Sequence, residues 1–189
     1  MISKKTLPAA INRLGVETDM LLFEDESMIR DYQAIGYNWF EKGKQRIVPT
    51  YGKHEGVKLL GVLDYASGEV FVCEYDKYDA EVFLEFLKRV LDRYPGKRIE
   101  MILDNARIHH AKLIQPYLQE NNKRLRLQFL PPYSPELNPI EKLWGWLKKS
   151  CIYNVFYKSL EAMRTRIQCF IKQINSSRQE IVDRMLCIV

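Results

Sequence analysis

The sequence lacks the features that mark several common classes of protein. It has no run of about 18 consecutive apolar residues, which argues against a membrane-spanning helix. No apolar segment follows the early lysines, so no secretory signal is predicted. Internal repeats, low-complexity tracts and Gly/Ser linkers are also missing. The 189 residues, 47% of them hydrophobic and 28% charged, fit one globular domain.

Cysteine is scarce and has no metal-binding spacing. No C-x-x-C pair occurs, and no nearby histidine completes a zinc pattern. The four cysteines are Cys73, Cys151, Cys169 and Cys187. The last three are 18 residues apart, which corresponds to whole helical turns. We therefore expect buried thiols on the core faces of helices, in a reducing compartment.

Positive charge is concentrated near the C-terminus. Between Glu141 and Arg178 there are eight Lys and Arg residues and two Glu residues, a surplus of six (8 − 2) in 38 residues, although the whole chain carries only +5. A basic surface of this kind favours a polyanionic partner. The alternative is an ordinary solvated helix face.

Apolar runs predict five strands. The first is Met20–Glu24, which runs into Asp25. Residues 30–56 form an excursion, with a short hairpin at Tyr37–Phe40 and Arg46–Val48. The other predicted strands are 57–64, 69–76, 99–104 and 125–130, and the turn Tyr65–Gly68 joins the second to the third.

Helices are predicted between and after the later strands. Residues 79–94 carry a single apolar stripe, with Asp79 as N-cap and Pro95-Gly96 as the stop. A helix around 110–121 should be kinked or broken at Pro116. Another begins at about Pro139, and a last helical region covers 159–188.

This order of elements predicts an α/β fold with a mixed five-stranded sheet flanked by helices. Right-handed crossovers place the fourth strand beside the first and the fifth outside it. The predicted strand order is therefore 3-2-1-4-5, counted along the chain.

Four aspartates end the first four predicted strands. They are Asp25, Asp64, Asp76 and Asp104. In the predicted order, Asp25 and Asp104 leave neighbouring parallel strands at the same end, about 4.8 Å apart. Asp64 leaves at the opposite end, and Asp76 lies two strands away from Asp25. A plain role as the first residue of a loop stays open for each of them.

Two converging carboxylates repel each other unless a cation lies between them. Oxygen ligands of this kind suit Mg²⁺ or Mn²⁺, and phosphoryl-transfer sites commonly add a third carboxylate. Glu141 would lie on the first turn of the helix that begins after Asn138, the predicted N-cap. Glu136 would lie in an irregular loop, which favours Glu141, although Glu141 could equally complement the helix dipole.

Three motifs in this order resemble the catalytic domain of the mariner-like DDE transposases of bacterial insertion sequences, which belong to the retroviral-integrase-like superfamily. The motifs are FEDES, LDNARIHHA and PPYSPELNPIEKLW. The resemblance covers residues 19–175. It implies a ribonuclease-H-like fold and two Mg²⁺ (or Mn²⁺) ions held by the catalytic residues Asp25, Asp104 and Glu141. Between Asp104 and Glu141 lie 36 residues (141 − 104 − 1), close to the family's interval.

The resemblance also implies a reaction and partners. Water would cut a DNA strand at the element end, and the freed 3′-hydroxyl would attack target DNA. Double-stranded DNA and a second copy of the chain are the implied partners, in the cytoplasm of a bacterium at its nucleoid, with no membrane and no small-molecule substrate. Asn105, Arg107 and His109 would contact DNA phosphates or orient a carboxylate, and an ordinary role in the loop is equally open for them. Further DNA contacts are expected from Lys142, Lys148 and Lys149.

Residues 1–189 are predicted to be a single catalytic domain. Full-length members of the family carry helix-turn-helix modules ahead of it, whereas only 19 residues precede the first predicted strand. End-specific DNA binding is therefore not expected of this chain alone. Two alternatives stay open: a stand-alone nuclease of the same fold, or an inactive remnant that acts only in DNA binding or multimerisation.

Overall fold

The computed structural model describes residues 18–30, 56–132 and 134–186, together with residues 39, 41–44, 47 and 49. Apart from Trp39 and Ile47, the hairpin predicted at Tyr37–Phe40 and Arg46–Val48 lies outside the described residues. So does Cys187.

A five-stranded mixed sheet forms the centre of the domain, in the predicted order β3-β2-β1-β4-β5. Its strands are β1 (Met20–Arg30), β2 (Gly56–Asp64), β3 (Val70–Tyr75), β4 (Ile99–Leu103) and β5 (Leu125–Phe129). β2 pairs antiparallel with β1 and β3, while β4 pairs parallel with β1 and β5. The predicted fold class is therefore confirmed.

The first strand is longer than predicted. It does not end at Asp25, because its pairing with β2 continues as far as Arg30 and Gly56. Asp25 itself pairs with Gly61 and lies in the middle of β1. The second half of the strand, residues 25–30, contains only two apolar residues, Met28 and Ile29, which hides it from a search for continuous apolar runs.

Five α-helices occur in the described part of the chain. They are α1 (Ala80–Arg93), α2 (Gln115–Glu120), α3 (Pro139–Cys151), α4 (Leu160–Ser176) and α5 (Arg178–Ile181). The predicted N-cap of α1 is confirmed, since Oδ1 of Asp79 accepts a hydrogen bond from the backbone N–H of Val82 at 3.0 Å. Within the described ranges, no helix is long and apolar enough to span a membrane.

Two predicted helices are divided in the structure. α2 begins just before Pro116, and two 3₁₀ turns, Arg107–His110 and Lys112–Ile114, precede it. Proline suits the first turn of a helix, where its missing N–H costs no hydrogen bond. The last helical region breaks at Ser177 and continues as α5 and a π-helical turn, Val182–Leu186.

Helices cover both faces of the sheet. α1 packs against one face, while α3 and α4 pack against the other. Successive side chains of a strand point to opposite faces. In β1, Leu22 and Glu24 therefore lie on the α1 face, whereas Asp25 lies on the α3 face.

The cysteine prediction is only partly right. Cys151 is buried at the end of α3, but Cys169 is exposed on α4, and Cys73 is buried in β3, within the strand predicted at 69–76. A spacing of whole turns keeps residues on one face only within a continuous helix. Residues 152–159, between α3 and α4, break that phase.

Gly61 allows α3 to approach the sheet closely. A Cβ at this position would lie 2.7 Å from Cη2 and 2.9 Å from Cζ2 of Trp144. Only 1% of Trp144 is exposed, so its ring has no room to move away. Because Gly61 has no side chain, α3 can pack closely against β2, the strand that pairs with β1 at Asp25.

Gly61→Ala is expected to lower the free energy of unfolding by about 1–3 kcal/mol, because an added methyl group overpacks this contact. Urea denaturation measures the change. Gly145→Ala in α3 is the matched control, since a Cβ there meets nothing within 4 Å. That control should be neutral or stabilising, because alanine favours helix over glycine. Equal losses in the two variants would contradict the packing role of Gly61.

Candidate active site

A cleft of about 430 Å³ lies where β1, the end of β4 and the start of α3 meet. Its wall contains all three carboxylates that the sequence predicts to be catalytic. The residues that line it are Asp25, Asp104, Asn105, Ala106, Leu130, Pro131, Pro132, Ser134, Asn138 and Glu141.

The register of the parallel pair β1–β4 brings the two aspartates together. Phe23 lies opposite Ile102 in this pair. Two residues further along each chain are Asp25, still within β1, and Asp104, directly after β4. Asp104 therefore follows a strand end, as predicted, and lies beside a residue in the middle of the neighbouring strand.

Glu141 reaches the cleft from the first turn of α3. The helix begins at Pro139, as predicted, and Asn138 occupies the N-cap position. The side chain of Asn138 makes no capping bond; instead its Nδ2 donates to the backbone carbonyl of Glu24 at 2.8 Å. This bond ties the start of α3 to β1, one residue away from Asp25.

Asn138→Ala removes that bond and leaves the buried carbonyl of Glu24 without its donor. We expect a loss of about 1–3 kcal/mol in the free energy of unfolding, the usual cost of an unsatisfied buried polar group. We also expect a further loss of metal affinity, since Glu141 is no longer held beside Asp25. Thermal unfolding and Mn²⁺ titration measure the two effects. An unchanged Mn²⁺ affinity would refute this positioning role.

Glu136 does not share this arrangement. It is exposed in a 3₁₀ turn, Pro135–Leu137, before α3. Among the described residues it is not part of the cleft wall. Its position matches the loop role that the sequence indicates.

Negative charge accumulates at Asp25. Burial, together with the charges of Glu141 and Glu26, raises the pKa of Asp25 to about 8. A cation in the cleft would offset this repulsion. The donor set consists of carboxylate oxygens, which Mg²⁺ and Mn²⁺ prefer. Asp25, Asp104 and Glu141 therefore fit a divalent metal site.

Asp64 lies at the opposite end of the sheet, as the topology predicts. Its carboxylate accepts backbone N–H bonds from Ala66 at 3.3 Å and Ser67 at 3.2 Å. Asp64 thus stabilises the turn between β2 and β3 and has a structural role.

The residues predicted to contact DNA differ in exposure. Asn105 and Arg107 are exposed beside the cleft, and Asn105 lines it. On α3, Lys142 and Lys149 are exposed, whereas Lys148 is half-buried.

His109 does not fit the prediction of a phosphate contact. Only 1% of this residue is exposed, because its ring packs against Phe83 of α1, with the ring centroids 4.4 Å apart. Its Nδ1 lies 3.3 Å from Oδ1 of Asp104. The geometry matches the other role considered for it, the orientation of a carboxylate.

A second acidic cluster was not predicted from the sequence. Glu24, Glu26 and His109 each offer a ligand atom within 4.8 Å of the others, on the α1 face of β1. Glu24 is fully buried, and burial raises its pKa well above the usual range. The sequence feature that could have revealed this cluster is the alternation of side-chain direction along β1. It places the residues on either side of Asp25 on the face opposite the cleft.

Part of the C-terminal positive charge is paired within the domain. Arg164 contacts Glu74 at 2.7 Å, and Arg178 contacts Glu69 at 3.2 Å. Trp144 is buried and Trp146 packs edge-on against Phe170, so both serve helix packing. A basic DNA-binding surface stays a prediction for the exposed lysines.

Sheet order and cleft together define the class of this protein. A mixed sheet ordered 3-2-1-4-5, with acidic residues at β1, β4 and the helix after β5, is the ribonuclease-H-like arrangement. The sequence matches the DDE superfamily endonuclease family over residues 20–164, and the chain belongs to that family.

Two relatives are similar in sequence. The chain is 31% identical over 156 residues to the insertion element IS630 uncharacterized 39 kDa protein of Shigella sonnei, covering 82% of this chain and 45% of that protein. It is 26% identical over 200 residues to the transposable element Tc3 transposase of Caenorhabditis elegans, covering 98% and 60%. The chain thus spans about half the length of these relatives.

Solved structures share the fold. The mariner Mos1 paired end complex with Mg superposes with a TM-score of 0.63 at 15% identity, covering 96% of this chain and 58% of that one. The simian T-cell lymphotropic virus intasome gives 0.53 at 13% identity, covering 79% and 47%. At these identities the similarity establishes the fold.

Proposed function

We propose that the chain is the catalytic domain of a DDE transposase, which cleaves DNA strands and transfers them in a metal-dependent reaction. The observation that carries the proposal is the cleft that brings Asp25, Asp104 and Glu141 together from three elements. Membership of the DDE endonuclease family and the similarity to the Tc3 transposase support it.

Divalent metal ions would be held by Asp25, Asp104 and Glu141, and we propose two of them. When bound, such ions neutralise developing charge at a phosphodiester and lower the pKa of an attacking water. The protein's part is to fix the three carboxylates and to shape the cleft. Asp25 is held within a paired strand, Asp104 in a hydrogen-bonded loop, and Glu141 at a helix start tied to β1.

The proposed substrate is double-stranded DNA at the element end and at the target. Exposed residues beside the cleft and on α3 would contact its phosphates, namely Asn105, Arg107, Lys142 and Lys149. Half-buried Lys148 would contribute through its charge. The Mos1 structures that share the fold are paired end and strand transfer complexes, and we propose that this chain acts as a homodimer on DNA. We also propose a location in the bacterial cytoplasm, at the nucleoid; the bacterial origin of the Shigella relative supports the bacterial part of this proposal.

A nicking and joining assay tests the proposal. We expect Mn²⁺-dependent nicking of generic duplex DNA, and joining of a labelled 3′-hydroxyl end to a target duplex. Asp104→Asn should remove both activities, because it removes a metal ligand. Nicking without joining would instead identify a stand-alone nuclease. Absence of both activities, with DNA binding intact, would identify an inactive remnant and refute the proposal.

A further inference from the structure

The imidazole of His109 lies behind the cleft, buried between β1 and α1. It belongs to the 3₁₀ turn that follows β4, and the backbone N–H of His109 donates to the carbonyl of Ala106 at 3.1 Å. The ring contacts Phe83 on one side. Its position and orientation are therefore set by packing, which is the condition for holding another group in place.

One ring nitrogen faces Asp104. Nδ1 lies 3.2 Å from the backbone carbonyl oxygen of Asp104 and 3.3 Å from its Oδ1. A carbonyl oxygen only accepts hydrogen bonds, so Nδ1 carries the proton that joins them. Oδ1 also accepts the backbone N–H of Ala106 at 2.8 Å. Both contacts lie on the Oδ1 side of the Asp104 carboxylate.

The other ring nitrogen faces β1. Nε2 lies 3.3 Å from Oε1 of Glu26 and 3.7 Å from Oε2 of Glu24. Both glutamates flank Asp25 in the same strand. His109 thus lies between the strand that carries one proposed metal ligand and the loop that carries another.

We propose that His109 is a positioning residue for Asp104. The proposal rests on the proposed function, since it assigns a role toward the metal site. Groups that orient metal ligands typically change metal affinity or activity by about 10–100-fold when they are lost. Glu24 and Glu26 lie beside His109, on the face of β1 opposite the cleft.

Two substitutions of His109 separate positioning from simple packing. In His109→Asn the amide nitrogen can occupy the place of Nδ1 and keep the bond to Asp104. In His109→Gln it reaches the place of Nε2 and loses that bond. We expect His109→Gln to weaken Mn²⁺ binding about tenfold or more, and His109→Asn to stay within about threefold of wild type, by titration calorimetry.

Two further readouts are independent of activity. Thermal unfolding reports the packing cost of each variant. If His109→Asn and His109→Gln lost equal Mn²⁺ affinity, in proportion to their losses of thermal stability, the proposal would be overturned. In the metal-free protein, long-range ¹⁵N–¹H spectra should show the proton of His109 on Nδ1, with His109→Asn identifying the signal. A proton on Nε2 alone would also overturn it.

Controls distinguish this proposal from the proposed function. Glu136→Gln should bind Mn²⁺ as wild type does. If Asp104→Asn leaves Mn²⁺ binding unchanged, the proposed function itself fails. If Asp104→Asn abolishes binding while His109→Gln binds normally, only the positioning role fails. A triple variant, Asp25→Asn, Asp104→Asn, Glu141→Gln, tests the second acidic cluster. If this variant still bound Mn²⁺ and lost it when His109→Asn was added, the second cluster would itself be a cation site. That result would overturn the positioning role.

Discussion

Glu141→Gln is expected to reduce Mn²⁺-dependent nicking of duplex DNA on the order of 10³-fold, comparable to the loss of a group that stabilises transition-state charge. Glu141 lies in the wall of the cleft with Asp25 and Asp104, and glutamine keeps its size but loses its charge. The side chain is exposed, so the fold should be unaffected. Nicking rates at saturating Mn²⁺ measure the loss of activity, and thermal unfolding measures the stability of the fold.

Glu136→Gln is the matched control, because the same change is made five positions earlier in an exposed turn. We expect this variant to keep most of the wild-type activity. If Glu136→Gln were inactive and Glu141→Gln active, the assignment of the third carboxylate would be wrong. Glu141→Gln should also lower the pKa of Asp25, since the charge of Glu141 is the largest contribution after burial that raises it.

The second large effect is the pH dependence of metal binding. The pKa of Asp25 in the metal-free protein is about 8, so a metal ion must displace a proton from this carboxyl at lower pH. One displaced proton changes the apparent affinity about tenfold per pH unit. Between about pH 6 and about pH 8, Mg²⁺ or Mn²⁺ affinity should therefore rise about fiftyfold, and it should level off above about pH 8.

The raised pKa of Asp25 also determines how the stability of the folded protein changes with pH. A carboxyl whose pKa is raised in the folded protein holds its proton more tightly there than in the unfolded chain. Asp25 therefore contributes stability below its unfolded pKa, near 3.8, and that contribution is lost as the pH rises toward 8. Asp25→Asn should make metal-free thermal stability less dependent on pH in this window. A metal affinity that does not change from about pH 6 to about pH 8 would contradict the raised pKa of Asp25.

Strand order and the main carboxylates were predictable from the sequence. The apolar run of β4 marks a strand buried on both faces, and a right-handed crossover must then place it beside β1. That placement alone brings Asp104 to Asp25. The start of α3 was equally clear, because Asn138-Pro139 is a strong signal for a helix N-terminus.

Features that depend on tertiary packing were not predictable. The second half of β1 is a strand because β2 pairs with it, and its own mostly polar residues give no continuous apolar run. His109 is buried because α1 brings Phe83 over it, whereas its motif alone is compatible with an exposed loop. Asn138 bonds to β1 rather than to its own helix, a choice that only the approach of α3 to the sheet determines.

The most direct test of the metal site is anomalous diffraction from crystals of the protein grown with Mn²⁺. We expect anomalous density in the cleft, with Asp25 and Asp104 as ligands and Glu141 facing the same ion or its neighbour. Density only at Glu24, Glu26 and His109, or none in the cleft at saturating Mn²⁺, would contradict the assignment of this cleft as the catalytic metal site.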